Sequence, residues 1–168
     1  MLCVQLPYPS IDNLEEDLRS ARIISQAYCG IHGELDAILQ YVYHSFYFRR
    51  LKDEETANVL ISIATCEMKH FEILGETMLK LGIDPIYTKR PPIRGDYYST
   101  MAVNYSRTPI KMLIDDITGE MVAVSEYEKI VDRLDNELVG AVIKRIILDE
   151  QLHIKVLKER LQQIDKKP

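Results

Sequence analysis

The chain has 168 residues, 46% hydrophobic and 28% charged, with a formal net charge of −5. That size fits one domain, and that balance excludes a disordered chain, a collagen-like chain and a small disulfide scaffold. No basic stripe points to nucleic acid, and no apolar run approaches the ~18 residues that a membrane span needs.

Met1 to Ser10 shows no basic region followed by an apolar stretch, so no signal peptide is expected and a cytoplasmic location follows. Cys3, Cys29 and Cys66 form no Cys-x-x-Cys and read as reduced thiols, with Cys29 and Cys66 as small buried hydrophobes. The first predicted helix covers residues 18–48. The second covers 54–80, with Asp53 as N-cap and Gly82 and Pro85 as stop signals. The third covers 109–134, capped by Thr108 with Pro109 as its first residue. Asp135 is the expected cap of the fourth, 136–164. Short turns make each consecutive pair an antiparallel hairpin.

The connection over 83–107 is different. It holds Pro85, Pro91, Pro92, Gly95 and the tyrosines Tyr87, Tyr97, Tyr98 and Tyr105, which read as packing for a long loop. Extended, such a segment reaches roughly 80 Å. A helix of this size is roughly 42 Å long. The segment can therefore cross the length of a bundle, and an all-α four-helix bundle of two hairpins with one long crossover follows.

A 4–3 spacing gives each helix an apolar seam interrupted near its middle by glutamate. In the first, Ile24, Ala27, Ile31, Glu34, Ile38 and Tyr41 share the seam, and in the third Ile117, Glu120, Val124 and Tyr127 do. In the second and fourth the interruption is Glu-x-x-His: Glu67 with His70, and Glu150 with His153. Residues three apart share a helical face, so each pair can aim at one point. A carboxylate inside a bundle costs several kcal/mol, and four together would repel. No Lys or Arg occupies these seams at the same level, whereas two divalent cations would balance four carboxylates. With two neutral imidazoles, the donors suit iron, manganese or zinc. A structural His–Glu pair on each helix is the bland alternative.

The two hairpins also repeat. Gly33-Glu34-x-x-Ala37-x-x-x-Tyr41 matches Gly119-Glu120-x-x-Ala123-x-x-x-Tyr127, and each is followed about 30 residues later by its Glu-x-x-His. The pattern resembles the ferritin-like di-metal carboxylate superfamily, whose bundles take a Glu from two helices and Glu-x-x-His from the other two. Within it the chain looks most similar to the rubrerythrin and manganese-catalase branch. The resemblance implies a ferritin-like fold and the metal ligands Glu34, Glu67, His70, Glu120, Glu150 and His153. Glu67 and Glu150 would bridge the metals, and the four glutamates would carry the catalytic site. It further implies that Asp149, just before a bridging Glu, hydrogen-bonds His70; the symmetric position is Cys66, which cannot serve equally well.

The chain departs from rubrerythrins in carrying Ala123 where they have a further ligand Glu. It also lacks the cysteines for their four-cysteine iron site. Few residues follow the fourth helix, ending Lys166-Lys167-Pro168, where storage ferritins carry a fifth helix. Tyr41 and Tyr127 either hydrogen-bond the carboxylates or fill the core. His32 and His44 fall off the Glu34 face and read as surface residues. The expectation is an oxidoreductase with two iron ions as first choice, or two manganese ions, acting on hydrogen peroxide or dioxygen. Its rubrerythrin-like peroxidase form would need an external electron donor. The alternatives are manganese-catalase-like disproportionation and non-enzymatic iron binding or storage. By resemblance, the chain pairs as a homodimer.

Overall fold

The computed structural model describes residues 1–166; Lys167 and Pro168 lie outside it. Five α-helices follow one another: α1 Leu18–Cys29, α2 Glu34–Arg50, α3 Glu54–Lys80, α4 Pro109–Arg133 and α5 Glu137–Asp165. The antiparallel pairs α2–α3 and α4–α5 pack side by side into a four-helix bundle, as expected. No strand is present among the described residues, and no helix there is long and apolar enough to cross a membrane.

The predicted first helix is two helices. Gly30 and Gly33 flank the break. A Cβ on Gly30 would collide with the carbonyl of Gln26, and one on Gly33 would lie 2.6 Å from that of Ala27. Only glycine lets the chain fold back this closely. His32 between them takes a left-handed backbone (φ 62°), and Ile31 leaves the predicted seam for solvent. The break makes Glu34 the first residue of α2.

The other ends are ordered by capping. Asp53 accepts from the Thr56 amide (3.1 Å) and starts α3. Asn136, not Asp135, caps α5 by accepting from the Val139 amide (3.2 Å), while Asp135 is exposed and pairs with Arg19. Pro109 sits at the first turn of α4, where its missing N–H costs nothing.

Two apolar clusters fill the bundle at different levels. One joins Ile24, Ala27, Leu74, Met78, Ile143 and Ile146. The other joins Phe48, Leu60, Ile63, Met112, Leu113 and Leu157. Between them runs a belt of charged and polar side chains. The crossover is pinned along α2: Tyr98 donates to Asp36 (2.7 Å) and the Asn104 amide donates to Gln40 (2.9 Å). Tyr105 packs edge-on to Tyr43. Tyr98 and Tyr105 thus pack on α2 as expected of the loop tyrosines, whereas Tyr97 is largely exposed.

Candidate metal centre

All six residues singled out in the sequence meet in the polar belt, each at most 4% exposed. Glu34 enters from the start of α2, Glu67 and His70 from α3, Glu120 from α4, and Glu150 and His153 from α5. They form two overlapping sets that could each hold a metal ion: Glu34, Glu67, His70 and Glu150, and Glu67, Glu120, Glu150 and His153. Within each set, one donor atom per residue lies within 4.8 Å of the others. Glu67 and Glu150 belong to both.

The imidazoles define the chemistry. His70 Nδ1 lies 2.9 Å from Glu67 Oε2, 3.2 Å from Glu150 Oε1 and 3.6 Å from Glu34 Oε2. His153 Nδ1 lies 2.9 Å from Glu67 Oε1, 3.1 Å from Glu150 Oε2 and 3.3 Å from Glu120 Oε1. Each Nδ1 thus faces three carboxylates, but one nitrogen can offer only one proton. Glu67 Oε1 and Glu150 Oε1 are buried with no hydrogen bond.

The outer nitrogens fix the tautomer. His153 Nε2 donates to the Leu2 carbonyl (2.8 Å), and a carbonyl can only accept. His70 Nε2 lies 3.1 Å from Asp149 Oδ2, the hydrogen bond expected from the sequence. In a neutral ring the proton therefore sits outward, and Nδ1 turns a bare lone pair toward acceptors. Either protons or cations must fill that gap.

Without metal, protons do so. Burial disfavours imidazolium, but Glu150, Glu67 and Glu34 overcome it and push His70 well above its ordinary value. Burial is likewise overcome at His153 by Glu67 and Glu120. Burial pushes Glu34 and Glu120 up. At Glu67 the two histidines outweigh burial and hold the carboxyl down.

Tyr41 donates to Glu120, and Tyr127 donates to Glu34. Each tyrosine reaches across to the glutamate of the other hairpin, which settles the question left open by the sequence. Burial and the adjacent carboxylates push both hydroxyls up, so they stay protonated and donate.

Behind the histidines lies a feature the sequence reading missed. The segment Met1–Tyr8 crosses α3 and α5. Val4 N and Tyr8 Oη donate to Asp149, both at 2.6 Å. The Arg145 guanidinium lies 2.8 Å from Asp149, holds the Val4 carbonyl (2.8 Å) and stacks over the Tyr8 ring. Against the upward push of burial, His70, Tyr8, Arg145 and Val4 hold Asp149 well below the usual carboxylate range. Cys3 and Cys66 are joined in a disulfide, so the expectation of reduced thiols fails for both. Their Cα atoms, 5.8 Å apart across 63 residues of sequence, come together because the segment lies on α3. Cys29 is the free, buried thiol.

His32 is exposed, as expected, but His44 is not a surface residue. It is fully buried and lies 2.8 Å from Asp116, which also accepts from Gln40 (2.9 Å). One turn lies between this pair and the Tyr41–Glu120 contact. Asp116 stands four residues before Glu120, a signal that the Glu34-centred reading of helical faces overlooked.

On the α2–α4 side the belt opens into a cleft of about 40 Å³ lined by Glu34, Tyr41, Gly119, Glu120, Ala123 and Tyr127, among others. A water needs ~10–15 Å³ on that measure, so the space suits a molecule of a few heavy atoms. Ala123, where rubrerythrins carry a further Glu, helps keep it open.

A four-helix bundle that brings one Glu from each of two helices and Glu-x-x-His from the others to a buried point is the ferritin-like plan. Residues 30–167 match the ferritin-like domain family, and the chain belongs to it. It is 23% identical to a probable manganese catalase from Clostridium acetobutylicum over 170 aligned residues, covering 89% of this chain and 73% of that protein. Its fold is similar to that of a manganese catalase from Anabaena, with a TM-score of 0.81 and 20% identity over 99% of this chain and 81% of the other. It is also similar to a bacterioferritin from Rhodobacter capsulatus, with a TM-score of 0.71 and 18% identity over 91% and 89% of the two chains.

Proposed function

We propose that this chain is a two-metal oxidoreductase that disproportionates hydrogen peroxide, with manganese as the resident metal. The observation that carries the reading is the pair of Nδ1 atoms, each turned toward three carboxylates while its ring proton is committed outward. Two divalent cations satisfy both lone pairs, the unpartnered oxygens of Glu67 and Glu150, and the charge of four buried carboxylates.

Glu34 and His70 would hold one ion, Glu120 and His153 the other, and Glu67 and Glu150 would bridge them. When bound, such a pair shares a two-electron change, one per metal, between two peroxide molecules that become dioxygen and two waters. Tyr127 and Tyr41 orient Glu34 and Glu120. The apolar clusters on either side exclude bulk water, which strengthens every charge interaction in the belt. The narrow cleft admits peroxide and rejects larger substrates.

A catalase-type reaction is favoured over a rubrerythrin-like peroxidase on two grounds. One sequence relative is described as a probable manganese catalase, and one solved structure of similar fold as a manganese catalase. Iron would fit the same donors. The test is oxygen evolution from peroxide by manganese-loaded protein without reductant, with Glu67→Gln losing both metal and activity. Dioxygen uptake on adding ferrous iron, with no oxygen release from peroxide, would instead support iron binding and storage.

A further inference from the structure

The Cys3–Cys66 bond lies among the groups that orient both histidines. Cys66 immediately precedes Glu67, and its sulfur is 3.6 Å from His70 Nε2. Cys3 is flanked by Leu2, whose carbonyl holds His153, and by Val4, whose amide holds Asp149. Every contact between the N-terminal segment and the centre falls within five residues of Cys3. Apart from the disulfide, the links are noncovalent: hydrogen bonds, the stacking of Arg145 on Tyr8, the edge contact of Tyr8 with His70, and the packing of Leu2 and Tyr8 against the apolar clusters.

We propose that Cys3–Cys66 is a thiol-exchange site for small external thiols, and that opening it loosens the grip of the six-residue cluster on its metals. The metal half of the proposal rests on the function proposed above; the exchange half does not. Both sulfurs lie in buried residues, but Cys66 is fully enclosed whereas Cys3 keeps 9% exposure, in a segment whose residues Met1, Gln5 and Leu6 are exposed. An external thiolate therefore attacks the Cys3 sulfur. The protein S–S bond breaks, a mixed disulfide forms on Cys3, and Cys66 leaves as the thiolate and takes up a proton. A second external thiolate attacks the mixed disulfide and frees Cys3, which is protonated in turn. Two electrons pass from two thiols to the protein, and one external disulfide is the product. The same steps in reverse, with an external disulfide, close the bond.

Once open, the segment is held by noncovalent contacts alone. Its departure takes the Leu2 carbonyl from His153 and the Val4 and Tyr8 donors from Asp149. Loss of such outer partners typically weakens metal binding by about 10–100-fold.

The experiment uses the full chain loaded with manganese(II). Oxidised protein is incubated with reduced glutathione, freed of it anaerobically, and compared with untreated protein and with Cys3→Ser. Three quantities are read: titratable thiols per chain, protease cleavage near the N-terminus, and the rate of manganese loss to a chelator. Expected are two additional thiols, new cleavage before Tyr8, and manganese loss about 10–100-fold faster. Cys3→Ser should lose manganese at the fast rate with or without glutathione. An unchanged thiol count in native protein overturns the exchange site, and equal manganese loss from reduced and oxidised protein overturns its coupling to the centre. If oxidised protein takes up no manganese, the proposed function and the coupling both fail, while thiol count and cleavage still decide the exchange site.

Discussion

His70 and His153 hold equivalent places in the two hairpins, yet their outer nitrogens end on different partners. His70 meets the carboxylate of Asp149, itself held by Tyr8, Val4 and Arg145. His153 meets the uncharged carbonyl of Leu2. The hairpin repeat supplies an acid before Glu150 but a cysteine before Glu67. That cysteine is bonded to the N-terminal segment, and the segment brings a backbone acceptor to where the acid would have been. An internal repeat can thus keep its inner donors symmetric while its outer partners diverge. An ionised partner makes His70 the more basic donor.

The most drastic way to break the comparison is to remove what the halves share. Glu67→Ala should empty both half-sites, because Glu67 serves both sets; elemental analysis should find metal content near zero, not halved. Asp149→Asn separates the halves. It should weaken metal binding on the His70 side by about 10–100-fold and leave the His153 side closer to normal. Calorimetric titration with manganese should then show two steps of unequal affinity.

The protons that stand in for metal give a third test. Both histidines are pushed above their ordinary value in the metal-free protein. Their stabilisation is complete below the unfolded value of about 6.5 and is lost as pH rises through the folded values. Metal-free protein should therefore melt lower as pH rises above that point. Metal binding displaces those protons, so its added stability should grow by up to about 1.4 kcal/mol per pH unit for each proton released. Thermal melts with and without manganese check whether the gap widens with pH. The smallest effect sharpens the symmetry. Tyr41→Phe and Tyr127→Phe each remove one donor to a buried carboxylate and should cost about 1–3 kcal/mol. Because the two contacts are equivalent, their melting shifts should match.

Much of this was legible in the sequence. Helical periodicity placed four seams and put glutamate at the same level in each, because burial makes a misplaced carboxylate too costly to be incidental. The hairpin repeat then matched Glu34 with Glu120, and Tyr41 with Tyr127. Other parts were written in long-range contacts. Nothing local marks Cys3 and Cys66 as partners, since their pairing follows from the path of an irregular segment over α3. The same path makes Leu2 an acceptor, and a backbone carbonyl leaves no trace in residue identity. Gly30 and Gly33 were visible, but periodicity ran straight through them; steric crowding against Gln26 and Ala27 decides the break. His44 was misplaced because its partner, Asp116, lies on another helix.

The central claim is that Glu34, Glu67, His70, Glu120, Glu150 and His153 together hold two metal ions. Anomalous diffraction at the manganese edge from crystals grown with manganese tests it directly. The account predicts two peaks about 3.5–4 Å apart, with Glu67 and Glu150 reaching both. No peak in the polar belt, or a single one that leaves either histidine Nδ1 facing only carboxylates, would contradict it.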